Sequence, residues 1–219
     1  MLDQVVAGTR TQGYLLWRGR RALTVPRTLS RQNRFKSAAR LMTARGWPVV
    51  VRQTGGAVAP LSPGLLNVAM AFTDGGMHPP SIENTYRAFC APLIAALASM
   101  GISASCGPVA GSFCDGNFNL VVDGRKVAGT AMRWRRRNGH AGTAVLAHAV
   151  VLCAEDLPAL ISATNSFQTR CGLTAQLKVD SHVALSVLCP HLNSATLYQT
   201  AARELTDTIE GFLADRPHP

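Results

Sequence analysis

A lysine between glycines is the strongest chemical signal in the sequence. Lys126 follows the turn dipeptide Asp123-Gly124 and precedes Gly129, in an extended stretch with no other charge for several residues beyond it. Glycines let the backbone approach a ligand closely, and a fixed cation beside them suits a phosphate or an acyl-phosphate. On the local pattern alone, an ordinary solvated strand lysine is the simpler interpretation.

A second glycine-rich segment, residues 52–64, follows an apolar strand. Arg52, Thr54 and the glycine pair Gly55-Gly56 stand near its start, and Gly64 stands at its end. Paired glycines after a strand expose backbone N–H groups that can bind a carboxylate or a phosphate. A glycine pair alone is a weak indication of a binding site. It becomes informative because it precedes the lysine segment in the chain.

In this order the two segments resemble those of the lipoate–protein ligase A family, within the wider biotin/lipoate ligase and octanoyltransferase group. The family motifs are R-R-x-T/S-G-G-x-A-V-x-H-D-x-G and N/D-L-V-V-x-G-R-K-x-x-G-S/T-A, with a histidine on the following strand. For Lys126 the resemblance implies contact with an acyl-adenylate or an acyl-thioester. It implies acyl or adenylate binding by Arg52, Thr54, Gly55, Gly56, Gly64, Asn119, Gly129, Thr130 and His148.

The resemblance implies an enzyme that attaches a lipoyl or octanoyl group to a lysine of a lipoyl-type carrier domain. The preferred hypothesis is a ligase that makes an acyl-adenylate from lipoate or octanoate with ATP and Mg²⁺, while Lys126 stabilises charge on the reacting oxygen. The alternative is an ATP-independent transferase that takes the acyl group from an acyl carrier protein, with Cys114 as nucleophile. A nearby cation would favour the Cys114 thiolate. An inert thiol in a loop or in the core is the simpler interpretation of this cysteine.

Departures from the family pattern motivate a third hypothesis, a partner-dependent or non-catalytic acyl-binding relative. Leu61-Ser62 stands where many members have His-Asp, and Ala149-Val150 replaces the Gly-Ser/Thr that follows the histidine. The chain begins at what resembles the family's first helix and stops near Pro219. We expect one catalytic domain over 1–219 with no separate C-terminal accessory domain. We expect a flexible tail at 216–219, and under this hypothesis a separate small accessory subunit. Biotin is less favoured because the signature GRGRxG is absent.

The composition favours one domain with a full apolar core, since the chain has 219 residues of which 47% are hydrophobic. It has no apolar run as long as a membrane span and no signal-like N-terminus, so we expect a cytoplasmic protein without membrane contact. The six cysteines show no CxxC spacing, and no two of the six histidines have helical metal spacing. We therefore expect free thiols and no metal site.

The net charge of +10 suggests nucleic acid as one class of partner. Arginines flank Trp17 and Trp134, as in surfaces that stack bases and hold phosphates. However, the sequence has no helix-turn-helix, zinc-finger or RNP pattern, so nucleic-acid binding is not expected as the main function. A basic rim that speeds docking of an acidic acceptor domain is the favoured interpretation.

The hydrophobic pattern predicts an α+β fold, with a mixed, largely antiparallel sheet flanked by helices. The resemblance implies the biotin/lipoate ligase catalytic-domain fold. Residues 14–18 and 22–26 are predicted to pair as a hairpin, and Ser81 is predicted to cap a long helix that ends before Gly101. A three-strand meander is predicted to turn at Asp123-Gly124 and at Asn138-Gly139.

The register of this meander bears on His148. If Asn138-Gly139 is a strict two-residue turn, His148 pairs with Gly129 on the face opposite Lys126, which is a structural position. A bulge in the arginine run before the turn would reverse that. The structural and the site interpretations of His148 both remain open at this stage.

Overall fold

The structure, a computed structural model, describes residues 1–52, 56–75, 81–174 and 176–216. Most of the predicted tail at 216–219 therefore lies outside the described residues. The strands are β1 Gln12–Arg18, β2 Ala22–Pro26, β3 Val49–Arg52, β4 Ala59–Leu61, β5 Leu65–Asp74, β6 Ser105–Gly107, β7 Asn119–Val122, β8 Arg125–Arg136 and β9 Thr143–Leu152. The helices are α1 Leu2–Val6, α2 Phe35–Ala44, α3 Ile82–Ser99, α4 Leu157–Arg170, α5 Leu185–Leu188 and α6 Ser194–Ala214.

A six-stranded sheet in the order β1-β5-β9-β8-β7-β6 forms the centre of the molecule, and every neighbouring pair in it is antiparallel. Helices α3 and α6 cover one face. Every second residue of β5 from Leu66 to Phe72 lies in the core between the sheet and these helices. These side chains are almost fully buried against apolar side chains of both helices. The predicted fold class, α+β with a largely antiparallel sheet flanked by helices, is confirmed.

The cap of α3 is also confirmed. The Ser81 hydroxyl accepts a hydrogen bond from the Asn84 N–H, and Gly101, at φ +77°, follows the end of the helix. No helix in the described ranges is both long enough and apolar enough to cross a lipid bilayer.

A smaller sheet, in the order β3-β2-β4, lies beside the first and is mixed, since β2 is parallel to β3 and antiparallel to β4. Its Leu23 and Val25 pack with Met42 of α2 and Phe167 of α4 in a separate apolar cluster. The predicted β1–β2 hairpin is therefore wrong. Both strands form, but β1 pairs with β5, because the apolar residues of β2 complete this second cluster and not the core under β1.

The meander β7-β8-β9 is confirmed, and its first turn is Asp123-Gly124, with φ of +47° and +72°. The second connection is longer than predicted, because the last pair of β8 and β9 is Arg136 with Thr143. Asn138-Gly139 is thus not a strict two-residue turn. His148 consequently pairs with Ala131, and not with Gly129 as a strict two-residue turn would require.

A β-bulge at Val127 decides which face Lys126 occupies. Val121 pairs with Lys126 and Leu120 with Ala128, so Val127 is an extra residue in β8. Both Val127 and Ala128 are buried in the core under α3 and α6. Lys126 is thereby turned to the opposite face, the face of Gly129, Ala131 and His148. The bulge lies at the lysine and not in the arginine run, where the sequence analysis allowed for one.

Candidate active site

A cavity of about 300 Å³ lies between the two sheets, on the face of the large sheet that α3 and α6 leave open. The large sheet and the loop before β7 supply one side, and the small sheet supplies the other. Most of the lining is apolar, which suits an acyl chain better than a sugar or a nucleic acid. The lining residues are Trp17, Thr24, Arg52, Ala59, Leu61, Asn67, Ala69, Phe113, Cys114, Lys126, Gly129, Thr130, Ala131, Leu146, His148, Ala149 and Val150.

Lys126 is fully buried at the wall of this cavity. Its Nζ donates hydrogen bonds to the carbonyl oxygens of Phe113 at 2.5 Å and of Cys114 at 3.3 Å, and lies 4.7 Å from the centre of the Phe113 ring. Burial lowers the pKa of Lys126 to about 8, although the nearby Cys114 and Asp115 act in the opposite direction. The interpretation of Lys126 as a solvated strand lysine is therefore wrong.

Gly129 makes room for the end of the Lys126 side chain. A Cβ atom at Gly129 would lie 2.9 Å from Lys126 Cε and 3.0 Å from Nζ, closer than side-chain atoms normally approach. The backbone of Gly129 therefore forms part of the surface against which the ammonium rests. The close approach of the backbone to a ligand, which the glycine spacing predicts, stays a prediction.

Cys114 also lines the cavity, in the loop that precedes β7. It is half-buried and has a φ of +49°, a left-handed conformation that a residue other than glycine rarely adopts. Gly56, at φ +102°, faces it, since a Cβ there would lie 2.8 Å from Cys114 Sγ and 3.0 Å from Arg52 Nη2. The thiol thus lies at the cavity beside the glycine-rich segment, and is not a core thiol.

Arg52 belongs to the opposite side of the cavity. Its Nη1 donates to the backbone oxygen of Thr24 at 2.9 Å and to Thr24 Oγ1 at 3.2 Å, and its Nη2 donates to the Ala57 oxygen at 2.6 Å. Burial lowers the pKa of Arg52, while Cys114 opposes this. The guanidinium is therefore held by Thr24 of β2 and by the backbone of the glycine-rich segment. Of the same segment, Thr54 and Gly55 lie outside the described residues.

His148 lies between Ala69 of β5 and Ala131 of β8 and lines the cavity. Burial lowers its pKa, and the positive charge of Arg52 lowers it further. Both effects favour the neutral form of the imidazole. Small neighbours on both adjacent strands leave its ring facing the cavity, on the same face as Lys126.

Three of the predicted binding residues hold the backbone around the cavity. Gly64 permits close packing, because a Cβ there would lie 2.6 Å from the Ala154 oxygen. The Asn119 amide donates to Asp115 Oδ1 and to the Gly116 oxygen, both at 2.8 Å, and so fixes the turn before β7. Thr130 borders the cavity while its hydroxyl donates to the Phe118 oxygen at 2.7 Å. Gly64 and Asn119 do not line the cavity, and their predicted binding roles stay predictions.

His182 is a residue that the sequence analysis did not single out. Its Nε2 accepts a hydrogen bond from the Phe113 N–H at 3.1 Å, its Nδ1 lies 2.8 Å from the Lys178 oxygen, and its ring stacks on that of Phe113 at 4.6 Å. Burial lowers the pKa of His182 to about 4, and the charge of Lys126 contributes to the same shift. No motif surrounds His182, and it is far from Phe113 in sequence, so only the fold reveals it.

The two arginine clusters lie outside the cavity lining. The Arg18 guanidinium donates to the Pro63 oxygen at 2.9 Å and 2.7 Å and lies 3.9 Å from the centre of the Tyr198 ring. Trp134 packs against the main core and contacts the ring of Tyr86 at 5.9 Å. The Trp134 ring is therefore packed against protein side chains. Within the described ranges, no group of three His, Cys, Asp or Glu residues is arranged to hold a metal ion.

Comparison with models of known protein families identifies the family of this chain. The model of the lipoyl protein ligase A/B catalytic domain matches residues 1–205. The chain belongs to this family. The family predicted from the two glycine-rich segments is thus confirmed.

Two relatives show how far this similarity extends. The chain is 36% identical over 165 residues to an uncharacterized protein of Cupriavidus necator, covering 70% of this chain and 64% of that protein. It is 44% identical over 90 residues to the octanoyl-GcvH:protein N-octanoyltransferase of Kyrpidia tusciae, covering 41% of this chain and 31% of that enzyme. The chain therefore spans less than two thirds of the length of these relatives.

Solved structures of lipoate ligases share the fold. A bi-partite lipoate protein ligase from Thermoplasma acidophilum superimposes with a TM-score of 0.63 at 16% identity, covering 95% of this chain and 77% of that one. A lipoate-protein ligase A bound with ATP superimposes with a TM-score of 0.61 at 18% identity, covering 95% and 78%. At these identities the similarity shows the fold, and the predicted lipoate-ligase fold is confirmed.

Proposed function

We propose that this protein transfers an octanoyl or lipoyl group from a thioester donor to a lysine amine of a lipoyl-type carrier domain, with Cys114 as the nucleophile. The observation that carries the proposal is the placement of the Cys114 thiol and the buried Lys126 ammonium on one mostly apolar cavity. Relatives that are named octanoyltransferases support this class of reaction. The proposal places the thioester route ahead of the adenylate route that the sequence analysis preferred.

The first half of the reaction moves the acyl group to the enzyme. The Cys114 thiolate attacks the carbonyl carbon of the donor thioester, the bond to the donor sulfur breaks, and the donor leaves as a thiol after taking up a proton. The apolar walls, including Leu61, Leu146 and Val150, receive the acyl chain. Burial of the chain favours binding, because it removes apolar surface from water.

The second half releases the product. The neutral acceptor lysine amine attacks the Cys114 thioester and an amide bond forms. The Cys114 sulfur leaves as the thiolate while one amine proton passes to solvent, so the free enzyme is regenerated. Both steps place negative charge on the carbonyl oxygen. A lysine ammonium has three N–H donors, and Lys126 uses its bonds to Phe113 and Cys114 to fix its position. Among the described residues Nζ makes these two hydrogen bonds, and the proposal assigns its third N–H to that oxygen once the acyl group is bound.

The Lys126 ammonium is suited to this role because it is already desolvated. Its interaction with a developing oxyanion is stronger in a buried site than in water, and its position does not have to reorganise during the reaction. Its pKa of about 8 keeps most molecules protonated at neutral pH.

The acyl-enzyme is the species that tests the proposal. The protein is incubated with an octanoyl-thioester donor without ATP, and the octanoyl group is located by peptide mass spectrometry and by its release with hydroxylamine. We expect a labile octanoyl group on Cys114, none in Cys114→Ser, and normal labelling in Cys106→Ser. Cys106 is a matched control, because it is also half-buried but does not line the cavity. Full transfer activity in Cys114→Ser would refute the thioester route.

An adenylate-forming ligase is the second candidate function. It is favoured by the two cationic side chains that line the cavity, Arg52 and Lys126, since a phosphate suits both. In that reaction lipoate or octanoate and ATP, with Mg²⁺ as counter-ion, give an acyl-adenylate and pyrophosphate, and the acceptor amine displaces AMP. Cys114→Ser would then keep its activity, and transfer would require ATP.

A further inference from the structure

The loop that carries Cys114 is held by two buried side chains from other parts of the fold. The Phe113 N–H donates to His182 Nε2, and the Phe113 carbonyl accepts from Lys126 Nζ. The Phe113 ring lies between the same two partners, stacked on His182 at 4.6 Å and 4.7 Å from the Lys126 nitrogen. Both backbone polar groups and the ring of Phe113 are thus fixed.

The segment that carries His182 also holds the strand that carries Lys126. The Val183 N–H donates to the Lys126 carbonyl oxygen at 2.9 Å, in an isolated bridge between Lys126 and His182. One short segment therefore contacts both the strand of the lysine and the loop of the cysteine. A shift of this segment would change the distance between the Lys126 ammonium and the Cys114 thiol.

The loop needs such support because of its backbone. Cys114 has a φ of +49°, which costs free energy for a residue with a Cβ and persists only when its surroundings hold it. The preceding residue, Phe113, is held at its N–H by His182 and at its carbonyl oxygen by Lys126. Without the bond to His182, the buried Phe113 N–H has no hydrogen-bond partner. Because an unpaired buried donor is costly, the loop would then relax to a less strained conformation.

We propose that His182 is a positioning residue, which acts through the Phe113 backbone to keep the Cys114 thiol and the Lys126 ammonium on the same cavity. This deepens the proposed acyl transfer and rests on it for its kinetic consequence. The role requires a neutral ring with the proton on Nδ1, because Nε2 accepts from Phe113 while Nδ1 donates to the Lys178 oxygen.

Two substitutions separate positioning from simple packing. His182→Gln can place an amide oxygen near the position of Nε2 and keep the acceptor for Phe113. His182→Asn can only reach the position of Nδ1 and removes that acceptor. We expect His182→Asn to lower kcat for transfer about tenfold or more with KM for the donor little changed, and His182→Gln to restore most of the rate. The exposed His191, changed to Asn, serves as the matched control.

Amide hydrogen exchange in the free protein supplies a readout that does not depend on transfer. The Phe113 amide should exchange faster in His182→Asn, and amides of the buried strand β5 should keep their protection. If both variants lose rate together, in proportion to the fraction unfolded, His182 is only a packing residue and the proposal is overturned. If the wild type transfers no acyl group, the proposed function fails, but the exchange result still tests the support of the loop.

A measurement on the wild type covers the case in which the variants do not fold. Histidine ¹⁵N chemical shifts report which ring nitrogen carries the proton. We expect the neutral Nδ1-protonated tautomer for His182 at pH 7. The Nε2-protonated tautomer would overturn the proposal, since a protonated Nε2 cannot accept from the Phe113 N–H.

Discussion

The ammonium end of Lys126 rests against the backbone of Gly129, where an added Cβ would lie 3.0 Å from Nζ. The two residues are on one strand, and the bulge at Val127 puts them on the same face of the sheet. Lys126 is fully buried, and its Nζ is also bonded to the Phe113 and Cys114 carbonyl oxygens. The position of the cation therefore depends on the absence of a side chain at Gly129.

Gly129→Ala should displace the ammonium from the Phe113 carbonyl. We expect single-turnover acyl transfer to fall about tenfold or more, because a displaced cation no longer meets the developing charge. The circular dichroism spectrum should be retained, since the atoms that must move belong to a side chain. The control is Gly107→Ala in β6, where the nearest atom to a new Cβ lies at 3.9 Å. Equal rates for Gly129→Ala and the wild type would show that the cation takes no part.

The pH dependence of Cys114 acylation should reveal the state of Lys126. Its pKa is about 8, below the usual value of 10.5, so the ammonium loses its proton as the pH rises through 8. The rate should therefore level off and then fall above about pH 8, although more thiolate forms. Lys126→Arg keeps its charge throughout this range, so its profile should lack the alkaline decline. A wild-type rate that continues to rise to pH 10 would contradict this role for Lys126.

Ala69 should limit the length of the acyl chain. It lies beside His148 in the register of β5 and β9 and lines the cavity. We expect Ala69→Leu to reduce transfer of octanoyl more than that of butyryl, because the larger side chain fills part of the cavity. The ratio of kcat/KM values for the two donors measures this, with Ala98→Leu on the exposed side of α3 as control. An unchanged ratio would place the acyl chain elsewhere.

His182 should make the stability of the protein depend on pH in the acidic range. Its pKa is about 4 in the folded state and near 6.5 when unfolded. Between these values the unfolded chain binds a proton that the folded chain excludes, so stability is lost as the pH falls from about 6.5 to 4. The loss is expected to reach up to about 3 kcal/mol. Carboxylates titrate here as well, so the test compares denaturant unfolding of wild type and His182→Gln.

The comparison isolates the histidine, because glutamine does not titrate. The free energy of unfolding should fall less steeply with decreasing pH in His182→Gln than in the wild type. Parallel curves for the two proteins would mean that the folded state already admits the proton on His182.

Local signals in the sequence predicted the elements that depend on local chemistry. The Asp123-Gly124 turn needs two residues with positive φ, and the Ser81 cap needs a short side chain with an oxygen acceptor. Both are visible in the residue types themselves. The order of the two glycine-rich segments likewise indicated the family, and with it the fold.

The features that could not be predicted depend on contacts distant in sequence. Strands β1 and β2 are close in the chain but join different sheets, because their apolar residues complete different cores. The bulge at Val127 is favoured by burial of both Val127 and Ala128, which periodicity alone cannot show. His182 reaches Phe113 only after the fold forms, so its role has no sequence motif.

The measurement that tests the account most directly is the intact mass of a lipoyl-domain acceptor after incubation with this protein. One sample contains an octanoyl-carrier donor without ATP, and another contains ATP·Mg²⁺ with octanoate or lipoate. Cys114→Ser is assayed beside the wild type in both. We expect a gain of one octanoyl group with the carrier donor alone, and no gain with Cys114→Ser. A gain that requires ATP and persists in Cys114→Ser would contradict the account and establish the adenylate route.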